Sequence, residues 1–146
     1  MEEHLKLENQ LCFSIYSVSR FINRIYSPYL NKFDLTYLQY IVMLVLWENK
    51  KIELKELGEI LFLDSGTLSP LIKKLEKKEL ILKKRNENDE RIVEIFLTEK
   101  GANLKEEIKD IPLKIFEKSN LSLEEYTEIK KSMDNFIQKY LKNNYS

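Results

Sequence analysis

Two short strand-like runs interrupt a chain whose apolar residues otherwise follow a helical spacing. They cover 80–85 and 92–97, and the polar segment 86–91 separates them. Apolar runs of this length on either side of a polar turn are typical of a β-hairpin. With only three Gly and three Pro in 146 residues, the chain has too few turn residues for an all-β fold. We therefore predict a mainly α fold with a small β-wing (α+β).

Two helices are predicted in the first third of the chain. Apolar residues recur every three or four positions and predict an amphipathic helix over about 5–27, which Pro28 bends or ends. Thr36 and Gln39 form a capping box, in which Thr36 caps the helix and Gln39 reaches back. The capping box opens a second helix over about 37–49, whose wide apolar face predicts a central, buried position.

A short third helix and a longer fourth helix follow, with only a few residues between them. Apolar residues between 54 and 61 mark the third helix, and Asp64-Ser65 offers a cap for the fourth. Pro70 is expected near the first turn of the fourth helix, because a proline deeper inside would remove a backbone hydrogen bond. The inward positions are Leu68, Leu71, Ile72 and Leu75, and the outward positions are Thr67, Ser69, Lys73, Lys74 and Lys77.

Helical spacing resumes after the hairpin and continues to the C-terminus. Ser122 and Glu125 form a second capping box that opens a last helix with apolar residues as far as Leu141. A short helix, a tight turn, a polar-faced helix and a charged hairpin together form a winged helix-turn-helix. We predict a single domain, 1–146, with the winged helix-turn-helix at about 36–99 between terminal dimerisation helices at about 1–35 and 100–146.

The terminal helices are more apolar than the DNA-binding module needs. Pairing them across a two-fold axis would bury their apolar stripes and would present two recognition helices about one DNA turn apart, matching a palindromic operator. The alternative is that both helices pack only within the monomer.

The charge is balanced overall but concentrated locally. The chain has 24 Lys+Arg and 24 Asp+Glu, yet residues 65–85 hold seven basic and two acidic side chains. A concentrated basic stretch in a neutral chain is typical of a polyanion-binding face, although a solvated helix face would show the same run. Serine and threonine suit base edges in the major groove, lysines neutralise phosphates, and an arginine at a hairpin tip suits the narrow minor groove. The pattern favours binding to double-stranded DNA.

Several classes of protein are excluded by simple counts. With one cysteine, Cys12, and one histidine, His4, a single chain has no disulfide framework, cysteine zinc cluster or histidine-rich metal site. We therefore expect no metal and no cofactor. The longest apolar run, 40–47, is too short to span a bilayer, and the acidic N-terminus is unlike a signal peptide. We expect a cytoplasmic protein without a membrane partner.

The chain resembles the MarR family of winged-helix repressors throughout its length. The strings that carry this resemblance are Leu-Asp-Ser-Gly-Thr-Leu-Ser-Pro-Leu at 63–71, Lys-Lys-Leu-Glu at 73–76, Asp-Glu-Arg at 89–91 and Leu-Thr-Glu-Lys-Gly at 97–101. Within the family it is most similar to the OhrR organic-hydroperoxide-sensing group and its staphylococcal relatives. That match rests on Lys-Leu-Glu-Asn-Gln-Leu-Cys-Phe at 6–13, Asp-Leu-Thr-Tyr-Leu-Gln-Tyr at 34–40 and the apolar run to Trp47.

The resemblance implies where DNA is bound. Asp89 and Arg91 correspond to the family's wing, where the arginine enters the minor groove and the aspartate braces it. The recognition helix and its basic extension supply the remaining candidates: Ser65, Thr67, Ser69, Pro70, Lys73, Lys74, Lys77 and Arg85.

The resemblance also implies a redox site. Cys12 corresponds to the peroxide-reactive cysteine, and Tyr26 and Tyr37 to tyrosines that hydrogen-bond its sulfur from the partner subunit, with Tyr16 nearby. A thiolate, not a thiol, attacks a peroxide, and phenol donors favour the anion without a counter-charge. Oxidation to sulfenic acid comes first. A mixed disulfide with a low-molecular-weight thiol, a bridge to another chain and over-oxidation all remain open as the next step.

The expected function is that of a homodimeric repressor that releases its operator when an organic hydroperoxide oxidises Cys12. Within the same fold, the alternatives are a regulator that responds to a small aromatic or phenolic ligand, and a global stress or virulence regulator, with Cys12 not the sensor. From other classes, a thiol peroxidase and a DNA-free interaction module remain; a lone cysteine with no basic residue close in sequence argues against the enzyme.

Overall fold

A computed structural model describes residues 2–145 of the chain. It forms two compact units, one ending at Lys109 and the other beginning at Asp110. The first unit holds α1 (Leu11–Leu30), α2 (Tyr37–Asn49), β1 (Lys51–Glu53), α3 (Leu54–Leu61), α4 (Ser65–Lys77), β2 (Ile81–Arg85), β3 (Val93–Leu97) and α5 (Glu99–Ile108). The second unit holds α6 (Ile111–Lys118), α7 (Leu123–Phe136), a π-helical segment (Ile137–Leu141) and α8 (Lys142–Tyr145). The predicted mainly helical fold with a small β-wing is confirmed.

The first helix begins later and ends later than predicted. Two 3₁₀ turns occupy the expected first turns, because the Gln10 side chain donates to the backbone oxygens of His4 at 2.6 Å and Lys6 at 3.1 Å. Such side-chain bonds offer the backbone an alternative to the helix. Pro28 was expected to bend or end the helix. It does not end it, since α1 continues to Leu30. In the last turn, proline forgoes only the bond to the Arg24 carbonyl.

Helix α2 is the centre of the first unit. Its predicted capping box is present: Thr36 Oγ1 accepts from the Gln39 backbone N–H at 3.2 Å, and Gln39 Oε1 accepts from the Thr36 N–H at 3.1 Å. Buried side chains occur around most of the helix, namely Gln39, Tyr40, Val42, Met43, Val45 and Leu46. A helix that is apolar nearly all round is enclosed by its neighbours, as the sequence predicted.

The sheet has three strands rather than the predicted two. The segment between the second and third predicted helices contributes β1, which pairs with β3 in antiparallel register with Ile52 opposite Ile95. The strand order is β1-β3-β2, and Leu82 of β2 lies opposite Phe96 of β3. A strand of three residues is too short to show a period-two pattern in the sequence.

Helix α4 has the two predicted faces, but Pro70 is deeper inside it than expected. The predicted inward residues are all buried, whereas Pro70 is the sixth residue of the helix and lies in its second turn. It therefore forgoes the hydrogen bond to the Gly66 carbonyl, at a cost of about 3 kcal/mol. Burial of an aliphatic side chain contributes about 1.5–3 kcal/mol, so the four inward residues offset this cost. The expectation of a first-turn proline is wrong for that reason.

A close backbone contact joins the exit of the wing to the core. Thr98 caps α5 by accepting from the Gly101 N–H at 3.0 Å, and it donates to the Glu79 carbonyl at 2.7 Å. A Cβ at Gly101 would lie 2.2 Å from the Leu80 carbonyl oxygen. The Gly101 carbonyl in turn accepts from Trp47 Nε1 at 2.7 Å. Glycine is required at this position because the backbone of Leu80 occupies the space of a side chain.

The second unit is built around the second predicted capping box. Ser122 Oγ accepts from the Glu125 N–H at 3.1 Å, and the Glu125 carboxylate accepts from the Ser122 N–H at 2.8 Å, which lowers the pKa of Glu125. The rings of Phe116 and Tyr126 meet edge to face, 5.2 Å apart. The last helix is not regular as far as Leu141, because its hydrogen bonds change to the π pattern after Phe136.

Replacement of Gly101 by alanine tests the contact with Leu80. We expect Gly101→Ala to lower the free energy of unfolding by about 2–3 kcal/mol, because the new methyl group forces the backbone apart. Asn103→Ala is the matched control, since Asn103 is exposed on the same helix, and should change stability by less than about 0.5 kcal/mol. Urea denaturation followed by circular dichroism measures both. Equal midpoints for wild type and Gly101→Ala would contradict the contact.

Candidate DNA-binding face and redox site

A three-residue turn joins α3 to α4. Phe62 ends α3 in the left-handed region with φ 53°, and the Leu63 N–H donates to the Gly58 carbonyl at 2.9 Å. A Cβ at Gly58 would lie 2.9 Å from the Leu63 carbonyl oxygen, so the turn is tight on both sides. Neither Phe62 nor Gly58 was among the site residues predicted from the sequence. The glycine within an apolar helical pattern was the available signal.

Asp64 sets the start and orientation of α4. Its carboxylate accepts from the Thr67 N–H at 2.8 Å, which satisfies one of the free donors of the first turn. Seven of the predicted DNA-binding residues lie on the exposed surface of this helix: Ser65, Thr67, Ser69, Pro70, Lys73, Lys74 and Lys77. The helix thus presents hydroxyl groups near its N-terminus and ammonium groups beyond them, backed by a buried leucine-rich face.

One lysine of the basic stretch has a structural position. Lys78 Nζ binds the backbone oxygen of Asp34, the Asp34 carboxylate at 3.3 Å and Gln39 Oε1 at 3.2 Å. These bonds connect the end of α4 to the segment between α1 and α2. The charge count in the sequence could not separate this lysine from Lys74 and Lys77, which are exposed.

The wing is held by a chain of polar contacts. The Asn86 side-chain oxygen accepts from the N–H groups of Asn88 and Asp89 at 2.8 and 3.1 Å, and its amide donates to Glu94 at 3.1 Å. Glu94 is only 8% exposed and forms an ion pair with Lys51 of β1 at 2.5 Å. The Lys51 ammonium, with the Asn86 amide, lowers the pKa of Glu94. An asparagine at the start of a polar turn was the sequence signal for this arrangement.

Arg91 projects from the tip of the wing and is paired with Asp89. Arg91 Nε and Nη2 donate to the two carboxylate oxygens of Asp89 at 3.0 and 2.9 Å, and the Arg91 N–H also donates to Oδ1 at 3.0 Å. These bonds lower the pKa of Asp89, so the pair is ionised at neutral pH. The Arg91 side chain is 90% exposed. Arg85, also a predicted contact, donates to the Glu90 carbonyl at 2.8 Å.

Cys12 lies on the first turn of α1 and is exposed. Tyr16 follows one turn later, is 58% exposed, and carries the Arg20 guanidinium over its ring at 5.7 Å from the centroid. The three side chains recur every four residues and therefore share a face of the helix. Tyr16 therefore lies one turn from Cys12 on the same face of α1, near it as predicted.

Tyr26 and Tyr37 lie together at the other end of α1. Their ring centroids are 4.8 Å apart, and the ring of Tyr40 is 5.7 Å from that of Tyr26. Burial, followed by the proximity of Tyr37, raises the pKa of Tyr40. Because Tyr26 follows Cys12 by 14 residues, about 21 Å of helix separates them. One chain thus brings the two tyrosines together but not to its own Cys12.

Within 2–145, no group of three or more His, Cys, Asp or Glu side chains is arranged to hold a metal ion. No helix in that range has the length and apolar character needed to cross a membrane.

The SarA/Rot family of transcriptional regulators matches residues 24–108. The organic hydroperoxide resistance transcriptional regulator of Bacillus subtilis is 46% identical over 136 residues, which cover 93% of this chain and 92% of that protein. The HTH-type transcriptional regulator SarZ of Staphylococcus aureus is 44% identical over 137 residues, with 94% and 93% covered. Both relatives extend over nearly the whole of this chain.

Solved structures of a DNA-binding regulator are also similar to this chain. Reduced AbfR of Staphylococcus epidermidis bound to DNA superposes with a TM-score of 0.82 at 36% identity and covers 99% of each chain. AbfR has also been solved overoxidized on DNA, with a TM-score of 0.73 at 33% identity over 93% of this chain and 98% of that one. Its disulfide form has a TM-score of 0.62 at 35% identity, covering 97% and 94%. The chain therefore belongs to the SarA/Rot family of MarR-like winged-helix proteins, and it is a DNA-binding transcriptional regulator rather than an enzyme.

Proposed function

We propose that the protein is a homodimeric repressor that binds a palindromic operator and releases it when an organic hydroperoxide oxidises Cys12. The observation that carries the DNA-binding part is the exposed polar surface of α4 with Arg91 on the wing. The proposed organisation is the one expected from the sequence, with a winged helix-turn-helix at about 36–99 between terminal segments that pair with those of a second copy.

On DNA, α4 enters the major groove and the wing enters the minor groove. Ser65, Thr67 and Ser69 present hydroxyl groups to base edges, because a hydroxyl both donates and accepts. Lys73 and Lys74 neutralise phosphates beside them. Asp89 holds the Arg91 guanidinium extended from the hairpin by two parallel bonds, so that little side-chain entropy is lost when Arg91 enters the minor groove.

The apolar surface of α1 supports a dimer. Leu11, Val18, Phe21 and Ile25 are 46–62% exposed, and the only buried residue of α1 is Leu30. In a monomer this stripe would remain in water along about four turns of helix. Leu113, Leu123, Ile129 and Tyr126 form a similar exposed set in the second unit. Exposed apolar surface of this extent is typical of a protein–protein interface.

The chemical step at Cys12 is oxidation of a thiolate by a peroxide. The sulfur attacks one peroxide oxygen, a sulfur–oxygen bond forms, the oxygen–oxygen bond breaks, and the alkoxide leaves as an alcohol after taking a proton. Cys12 is exposed on its own chain, so that both a peroxide and a second copy can approach it. The relatives support this part of the proposal, since one is an organic hydroperoxide resistance regulator and another has been solved reduced, overoxidized and with a disulfide.

The sulfenic acid then changes the dimer. In the proposed dimer, Tyr26 and Tyr37 of one copy approach Cys12 of the other, so a larger or charged group on the sulfur strains the interface. A change in the spacing of the two α4 helices follows, and the operator is released. An adduct with a low-molecular-weight thiol is one route to a larger group, and a disulfide with another chain is a second.

A cleft supports the second candidate function. A cavity of about 520 Å³ lies between the start of α2 and the exposed surface of α4, and its lining includes Tyr37, Leu38, Thr67, Pro70 and Lys74. A small aromatic or phenolic ligand there would contact three of the proposed DNA-binding residues directly, namely Thr67, Pro70 and Lys74. This candidate predicts release of DNA by such a ligand in a protein that lacks Cys12.

Arg91→Ala tests the wing. We expect the operator dissociation constant to rise at least about fivefold, because a guanidinium in the minor groove contributes about 1–3 kcal/mol. Lys114→Ala removes the same charge from an exposed position on α6 and should change the constant less than about twofold. Fluorescence anisotropy with a promoter duplex measures both variants. Equal losses in the two variants would show a non-specific charge effect and would contradict a wing contact.

Val18→Glu tests the dimer. A carboxylate on the apolar stripe would be buried twice in a symmetric interface, and we expect the dimer dissociation constant to rise at least about 100-fold. Ser19→Glu is the control, because Ser19 is exposed next to the stripe. Sedimentation equilibrium gives both constants, and circular dichroism verifies that each variant is folded. A Val18→Glu protein that stays as dimeric as Ser19→Glu would refute this interface.

Cys12→Ser tests the sensor. In wild type, one equivalent of cumene hydroperoxide should weaken operator binding at least about 100-fold, the range that a rearranged interface supplies. The same treatment should leave Cys12→Ser bound. Anisotropy and intact mass, with a gain of one oxygen in wild type, are measured on the same samples. Release of the Cys12→Ser protein by peroxide would rule out this sensor. Tight binding of both wild type and Cys12→Ser after peroxide treatment would contradict redox control and favour a ligand in the cleft.

A further inference from the structure

Phe62 has a backbone conformation that does not suit its side chain. It ends α3 with φ 53°, in the left-handed region where glycine and asparagine are favoured and a bulky residue is an outlier. The turn requires this conformation, because it lets the Leu63 N–H reach the Gly58 carbonyl at 2.9 Å. The turn does not require an aromatic ring, since glycine or asparagine would adopt the conformation with less strain.

Burial of the Phe62 ring does not compensate for the backbone strain. Phe62 is 56% exposed, whereas the next residue, Leu63, is half-buried against the unit. The strained backbone reduces stability, and a ring that is mostly exposed contributes little burial to offset that cost. Retention of such a residue points to a function in binding rather than in folding.

Phe62 lies next to the N-terminal end of α4. It lies two residues before Asp64, the cap of α4, so their Cα atoms are at most about 7 Å apart. Asp64, Ser65 and Thr67 follow as exposed residues. The ring therefore continues the proposed DNA-binding surface at the N-terminal end of α4, where the helix approaches the edge of the major groove.

We propose that Phe62 packs its ring against the deoxyribose groups of the operator backbone beside the N-terminus of α4. This inference rests on the proposed DNA-binding function and adds an apolar contact to its hydroxyl and ammonium contacts. Contacts to sugars position a protein on the duplex without reading bases. An apolar contact releases no counterions, so its contribution to affinity does not depend on salt.

The other candidate for covering the ring is a second copy of the chain. The apolar stripe of α1 lies on a different element and is separated from Phe62 by the whole of α2 in the chain. Ile60 of α3 is 47% exposed, but the residues that follow Phe62 toward α4, namely Asp64, Ser65 and Thr67, are polar and exposed, whereas an interface between copies would continue as apolar surface. The surroundings favour DNA.

The test compares Phe62→Asn with Phe62→Tyr. Asparagine keeps the left-handed turn and removes the ring, whereas tyrosine keeps the ring. We expect Phe62→Asn to weaken operator binding at least about tenfold, in line with the apolar area lost, and Phe62→Tyr to bind within about threefold of wild type. The slope of log Kd against log salt should be the same for all three proteins, while Lys73→Ala should reduce it by about one. Anisotropy titrations over a range of salt concentrations give both quantities.

Stability and oligomeric state are measured on the same variants. Phe62→Asn should melt at the same temperature as wild type or higher and should keep its dimer mass. Wild-type affinity in Phe62→Asn, a lower melting temperature, or loss of the dimer would each overturn the inference, because the ring would then be dispensable, structural or part of an interface between copies. Failure of wild type itself to bind any promoter duplex would overturn the proposed function as well, so the two failures are distinguishable.

Discussion

The contact between Gly101 and the Leu80 carbonyl determines where the wing stands relative to the recognition helix. Leu80 lies between the end of α4 and β2, and Gly101 lies in the first turn of α5, directly after β3. A Cβ at Gly101 would approach the Leu80 oxygen to 2.2 Å, so both ends of the hairpin are anchored at one point. Trp47 fixes the same point to α2 through its bond to the Gly101 carbonyl. The wing and α4 are therefore two extensions of one rigid junction.

Beyond this junction, the wing is stiffened by charge rather than by apolar packing. Glu94 is nearly buried and joins Asn86 of the hairpin to Lys51 of β1. A buried carboxylate without partners would be costly, but here an ammonium and an amide satisfy it. Strand β1 thus supplies the Lys51 ammonium that allows the hairpin to contain the buried carboxylate of Glu94. A stiff wing keeps Arg91 at a constant distance from α4, which is what simultaneous contacts to two grooves require.

The sequence predicted those features that depend on local chemistry. Both capping boxes, the two faces of α4 and the hairpin are present because helix caps and helical periodicity are properties of neighbouring residues. Pro70 was assigned wrongly, since the rule against interior prolines considers only the lost bond and not the burial that compensates it. Pro28 does not end α1, because in the last turn it forgoes only one backbone hydrogen bond. The three-residue β1 exists only through its pairing with β3, and no local pattern could indicate it.

The candidate sites also contain some features that local sequence predicts and others that it does not. Exposure of the α4 residues follows from periodicity, whereas the Asp89–Arg91 pair and the roles of Tyr26 and Tyr37 came from the family resemblance. Nothing local in the sequence could place Tyr26 beside Tyr37, because that contact depends on how α1 crosses α2. The role of Lys78 in binding Asp34 is likewise a tertiary contact, invisible in a count of charges.

The position of Cys12 determines how it could act on DNA. Between Cys12 and Leu30, the only buried residue of α1, lie about 27 Å of helix, and no residue in that stretch is buried in the core of its own chain. A change at the sulfur therefore has no packed route through one chain to α4. A second copy that covers α1 and places its own Tyr26 and Tyr37 near the sulfur would supply that route. In the proposed mechanism, redox control therefore depends on dimerisation, since a monomer with an oxidised Cys12 would hold its DNA-binding surface unchanged.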